Sequence, residues 1–518
     1  MLSIAALASS LLGLTFVVVP LDDRPVTAQL PRLLGAIAGV RVVEPPRPLL
    51  GRYLTPGDPD AVLRWLRDAA PADARAYVVS TDMVVYGGLV ASRIPGFSRA
   101  LAYTRLGDLA AFRATRPSSS FAVFGTVMRL APTGVPALGP AAAFPFAGDL
   151  WPALQEYAGL PDPPQTAPDR ARAERLRAQL GGALDAYLGV RARDRDVDLF
   201  ALRTAAEGGF DRIVLGQDDA GPVGLHLRDL AALRAFAARW LPASAASIEP
   251  GADELAMALV AAALAREAHA VPRVRVVYSR AGGGAVADPI EFAPVATTIA
   301  ELIRTCGGVD VSASPAAADI VLYVRVPDTS DADETAFAAT VAAAARQTGN
   351  SRPLVAVADL SFLAEGDDAQ QRRLTADLIA LGAAGQIDAF ASWNTVANTV
   401  GTALPEAIAV WAGKRLGTYD RRMHATFTLM RYIDDIAFHT GVRPELIAGL
   451  DAAGITDHTS LPPDAARRVA AQNRALLWPA GLALLAQIEP EFRDAGFTIT
   501  LPWDRTFETE IDLRLQPR

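Results

Sequence analysis

Cysteine, lysine and histidine are scarce in this 518-residue chain, and each scarcity removes a chemistry. A single cysteine, Cys306, excludes an intrachain disulfide and any cysteine-built zinc cluster. Lys414 is the only lysine among 49 basic residues. It stands in Ala-Gly-Lys-Arg-Leu rather than in a Gly-Lys-Ser/Thr phosphate loop, and nothing around it marks a Schiff-base lysine. The histidines, His226, His269, His424, His439 and His458, form neither His-x-His nor His-Glu-x-x-His. There is no Gly-x-Ser-x-Gly elbow and no Gly-x-Gly-x-x-Gly after a strand, so no resident cofactor or metal is expected. After the first residues, no apolar run approaches the roughly 20 residues of a membrane helix, so no stable membrane span is expected. A net charge of -8 and a pI of about 5.3 argue against a nucleic-acid partner.

What remains is carboxylate, amide, hydroxyl and arginine chemistry on an ordinary globular composition, 51% hydrophobic and 20% charged. Residues 1–14 are apolar and rich in small side chains. They read equally as a signal-like leader without its basic start or as a buried run-in to the first strand. Localisation follows that choice: extracytoplasmic if the leader acts, cytoplasmic otherwise. Beyond it, short β-branched runs alternate with helical stretches. The runs cover 15–20, 40–44, 76–80, 121–127, 212–216, 247–250, 274–278, 320–324, 354–358 and 387–391. Strands alternating with helices argue a parallel α/β core over 15–416, either a (β/α)8-like barrel or a doubly wound sheet. The segment 271–324 reads as an inserted α/β layer, and 227–240 and 254–267 as outer amphipathic helices. Residues 417–518 read as a mainly helical or α+β appendage. No internal repeat is apparent.

In parallel α/β folds the carboxyl ends of the strands point into one crevice. Here the runs end in Asp22-Asp23-Arg24, Asp82, Arg129, Asp218-Asp219, Asp253-Glu254, Asp359 and Trp393-Asn394. Each acid alone reads equally well as a helix N-cap; their recurrence at strand ends points to a site. Asp218-Asp219 is the sharpest element. Adjacent carboxylates repel, so one has its pKa raised, and the pair then supplies an acid and an anionic stabiliser. Two further strand-end groups are Tyr86, beside Gly87-Gly88 and followed by Ser92-Arg93, and Asn398, four residues after Asn394. With His226 they complete the candidate substrate contacts. A structural ion pair for Arg24, a capping role for the amides and a satisfied core histidine are the bland alternatives. Asp22, Asp82 and Asp218 taken as oxygen ligands give a metal-dependent hydrolase or lyase instead.

Six blocks carry a resemblance: Pro20-Leu21-Asp22-Asp23-Arg24-Pro25, Ser80-Thr81-Asp82-Met83 with Tyr86-Gly87-Gly88, Met128-Arg129, Gly216-Gln217-Asp218-Asp219-Ala220, Gly251-Ala252-Asp253-Glu254, and Ser392-Trp393-Asn394-Thr395 with Asn398-Thr399 and Gly401. Together they resemble a bacterial family known only as domain of unknown function 4127, which implies no activity. A second resemblance lies in layout. O-GlcNAcase-like hexosaminidases carry an Asp-Asp pair at one strand end of a (β/α)8 barrel. Asp218-Asp219, His226, Pro250 with Glu254, Asp359 and Asn394 follow in the same order, although Asp359 lacks the usual Trp and Asn neighbours. That resemblance implies a retaining or hexosaminidase-like glycosidase. Asp218 would orient a substrate acetamido group and Asp219 would act as general acid and base. The expected ligand is thus a small saccharide or glycan, and the expected class a carbohydrate-active hydrolase. A non-catalytic glycan-binding protein is the alternative from another class.

Overall fold

All ten β-branched runs form strands in the computed structural model, which describes residues 13–132, 150–349, 352–363 and 368–518. Residues 1–12 of the expected leader lie outside these. The strands divide between two parallel sheets. The first contains β1 (Thr15–Val19), β2 (Arg41–Val43), β3 (Ala76–Ser80), β4 (Ser120–Val127), β5 (Arg212–Gln217) and β6 (Ala246–Pro250), in the order β2-β1-β3-β4-β5-β6. The second contains β7 (Arg273–Tyr278), β8 (Val309–Asp310), β9 (Ile320–Arg325), β10 (Leu354–Asp359) and β11 (Ala389–Ala391), in the order β11-β10-β9-β7-β8. Numbered from its own first strand, each sheet runs 2-1-3-4-5, and the first adds a sixth strand. This is a doubly wound order, whose direction reverses between the first and third strands. The repeat is one of topology, with no matching repeat in the residues. Segment 271–324 supplies three of the five strands of the second sheet.

Two helices, Leu255–Glu267 and Val396–Leu416, lie between the sheets and pack on each other. Residues 255–261 and 396–413 are buried without exception. A helix apolar all round belongs inside a fold. This corrects the reading of 254–267 as an outer helix: its apolar residues do recur at helical spacing, but they leave no polar face for water. His226–Trp240, by contrast, is an outer helix, with Trp240 56% exposed. The far face of the first sheet is covered by Pro59–Asp68, Arg99–Ala114 and the end of Ala167–Ala206, that of the second by Asp331–Ala345 and Asp368–Ala380. Five layers result, helix–sheet–helix–sheet–helix.

After Leu416 the chain is mostly helical as far as Ile488 and closes with an antiparallel hairpin, β12 (Phe492–Thr500) and β13 (Glu510–Pro517). The turn of that hairpin, 501–509, reaches the carboxyl ends of the first sheet, where the Trp503 indole N–H donates to Asp23 Oδ1 at 2.7 Å. Among the described residues no helix is long and apolar enough to cross a membrane.

Candidate active site

The strand ends of the first sheet open into a cavity of about 400 Å3. That volume falls within the 300–1,000 Å3 typical of small-molecule sites. Arg24, Arg93, Arg129, Gln217, Asp218, Asp219, Asp253 and Glu291 line it from the first half and the loop after β7. Asn394 and Asn398 enter from the end of β11, and Trp503, Arg505 and Phe507 from the hairpin turn.

Arg24 organises the β1 end. Its Nε and Nη2 donate to the Asp22 carboxylate at 2.8–3.0 Å, while Nη1 and Nη2 donate to Asp253 at 2.8 and 2.6 Å. The guanidinium fork suits this double clasp because each edge meets a carboxylate bidentately. Asp22 also accepts from the Thr27 hydroxyl at 2.9 Å. The Trp503 ring lies 4.9 Å from the Arg24 guanidinium carbon and 4.4 Å from that of Arg505. Asp23 faces the hairpin through Trp503, and burial raises its pKa.

Asp218 and Asp219 differ in environment. Asp218 is buried and charge-paired with the equally buried Arg93, delivered by the turn after Gly87-Gly88. Gly87 adopts φ +92°, and a Cβ there would sit 2.6 Å from the Gly57 carbonyl oxygen, so only glycine fits this close backbone approach. Asp219 faces the cavity with 41% of its side chain exposed, 3.9 Å from Arg129. Loss of water around it, and next the charge of Asp218, push its pKa up to about 6. The turn that follows is pinned from both sides. Ala220 N–H donates to the Ile290 carbonyl at 2.8 Å, and His226 Nε2 bonds the Gly221 carbonyl at 2.9 Å. His226 is buried, its pKa lowered to about 4 chiefly by that burial, and it lines no part of the cavity.

The amides at β11 are held from below. Asn394 takes φ +55°, a left-handed conformation that asparagine tolerates. Its Nδ2 donates to Asn398 Oδ1 at 2.6 Å, and Asn398 Nδ2 donates to Glu254 Oε2 at 2.8 Å. Glu254 is wholly buried, and burial drives its pKa well above the usual carboxylate range. Asp288 and Glu291 accept from the Val396 and Ala397 N–H groups at 3.0 and 2.7 Å, capping the 396–416 helix. Burial raises the Glu291 pKa to about 8.

Two glycines make room for Glu254. A Cβ on Gly251 would meet its Oε1 at 1.9 Å, and one on Gly401 would meet its Cγ at 2.3 Å. Overpacking a closed core costs about 1–3 kcal/mol. Gly401→Ala is therefore expected to lower stability by about that amount in urea denaturation. Glu254→Ala, introduced as well, should recover part of the loss; strictly additive effects would refute the clash.

The remaining candidates lie elsewhere. Asp82 is buried behind the cavity wall, accepting from Thr126 N–H at 2.9 Å, with its pKa raised to about 7 by burial and then by Asp194. Tyr86 packs against Arg193, 4.7 Å from ring centre to guanidinium carbon, and against Phe97. Trp393 is buried and donates to Thr402 at 3.1 Å. Asp359 ends β10 in the second sheet, where Arg325 clasps it at 3.2–3.3 Å. None of these four lines the cavity. Asp22 and Asp218, two of the three oxygen ligands of the metal reading, are each occupied by an arginine. Among the described residues no three His, Cys, Asp or Glu side chains are grouped to hold a metal ion.

Trp503, Arg505, Phe507 and Glu291 went unread in the sequence. The signal available for the first three was the interleaving of aromatic residues and arginine in Pro-Trp-Asp-Arg-Thr-Phe, between two alternating strands.

A family model described as "protein of unknown function (DUF4127)" matches residues 16–512, and the chain belongs to that family. No curated protein and no solved structure matches it.

Proposed function

For this member of the family we propose that the strand-end cavity binds a small saccharide or glycan terminus and hydrolyses its glycosidic bond. The observation that carries the reading is the contrast between two adjacent carboxyls. Asp219 is open to the cavity and titrates near 6, while Asp218 is buried against Arg93. A carboxyl whose pKa is raised, beside one paired with arginine, gives one site an acid and an anionic group. Asp219 donates its proton to the leaving oxygen as the anomeric C–O bond breaks. The Asp218–Arg93 side of the cavity faces the positive charge that develops at carbon. Water then adds to that carbon and returns a proton to Asp219. Asn394, Asn398, Arg129 and Asp253 supply hydrogen-bonding groups of the kind that read sugar hydroxyls. The hexosaminidase-like layout counts Asp359 among the site residues, whereas Arg325 holds it in the other sheet, so the proposal is glycoside hydrolysis in general.

A panel of aryl glycosides and oligosaccharides, followed by reducing-sugar release, tests it. Turnover that disappears in Asp219→Asn and falls in Asp218→Asn supports the reading. Full turnover in both variants on a cleaved glycoside overturns it, as does saturable glycan binding without product under any condition.

A further inference from the structure

A second concavity, of about 420 Å3, lies at the opposite end of the strands of the second sheet. Arg352 and Asp388 stand just before β10 and β11, so this pocket sits at the amino ends of the strands, whereas Asn394 meets the first cavity at their carboxyl ends. The 396–416 helix spans the interval. Lys414 in its last turn is 16 residues from Asn398, about 24 Å at 1.5 Å per residue.

Four cations, Arg346, Arg352, Lys414 and Arg421, line this pocket against two carboxylates, Asp388 and Glu489. Arg352 donates to Asp388 at 2.8 and 3.2 Å, and Lys414 Nζ lies 3.6 Å from the same carboxylate. One anion thus serves two cations. Arg346 bonds the Leu381 carbonyl oxygen, which carries no formal charge. Arg421 pairs with Glu489 and, at 2.7 Å, with Glu491. Lys414 and Arg421 keep 46% and 40% of their side chains exposed, so both reach solvent in the pocket. A chain with net charge -8 gathers four cations here, its single lysine included, against the three carboxylates Asp388, Glu489 and Glu491. A concave surface with an excess of one charge draws counter-ions. Arginine forks and a lysine point charge together suit phosphate oxygens.

We infer that this pocket binds a small polyvalent anion of the phosphate class, independently of the strand-end cavity. Calorimetric titration of the full chain with inorganic phosphate and with pyrophosphate, at constant ionic strength, tests this. Saturable one-site binding of either anion, weakened about tenfold or more in Lys414→Gln and in Arg346→Gln, is expected. Asp219→Asn should bind like the parent. Thermal melts of the variants verify folding, since both side chains lie at the pocket surface. Three results overturn the inference: no saturable heat with either anion, equal affinity in both variants, or binding lost in Asp219→Asn, which would place the anion in the first cavity.

Discussion

On the proposed reading, Asp219→Asn is expected to lower kcat on the cleaved glycoside by about 100- to 10,000-fold, the usual contribution of a positioned general acid. The fold should be untouched, because Asp219 is the exposed member of the pair. The same proposal gives the parent protein a pH signature. With Asp219 as the proposed protonated acid, its pKa raised to about 6, kcat/KM is expected to decline as pH rises through about 6. Asp218→Asn supplies the control. The charge of Asp218 is one of the causes that raise the Asp219 pKa, and its removal also leaves Arg93 uncompensated. Both effects favour the ionised form of Asp219, so the alkaline limb moves to lower pH in Asp218→Asn. A limb that stays in place would mean that another group donates the proton.

Arg24→Leu destabilises the chain by about 3–5 kcal/mol, read from urea unfolding at pH 7, because it strands buried charge. Side-chain exposure is 6% for Arg24, 3% for Asp22 and 12% for Asp253, so water cannot replace the lost guanidinium. The Coulomb gain of the intact trio is largely offset by desolvation, whereas removal of its centre leaves two carboxylates facing one another without a cation. Adding Asp253→Asn to Arg24→Leu should therefore recover part of the loss. Arg24→Lys should fall between, since an ammonium cannot present two bidentate edges. If Arg24→Leu were neutral, the trio would not hold β1, β6 and the hairpin turn together.

Strand positions were legible because a run such as Phe-Val-Val-Val has few other uses. Which strand pairs with which was not, because a parallel ladder joins residues far apart and leaves no local mark. Asp253 and Asp359 illustrate the point. Each follows or ends a buried strand, and in sequence they are equivalent. One strand belongs to the first sheet and brings its acid to Arg24; the other belongs to the second and meets Arg325. The 254–267 helix was legible as a helix, but its place depended on a second sheet that only long-range pairing creates. Trp503 lies 480 residues from the Asp23 it binds, and no spacing rule spans that distance.

By itself the sequence determined the parallel α/β class, the strand-end acids, amides and arginines, and the scarcity of cysteine, lysine and histidine. These follow from local steric preference and from residue inventory, which need no partner. Tertiary structure decided that Asp219 faces a cavity while Asp218 is closed against Arg93, that Asp82, His226 and Asp359 are withdrawn, and that the hairpin turn completes the wall. Those outcomes depend on how much water each carboxyl loses and which arginine reaches it, quantities that exist only once distant segments are packed together.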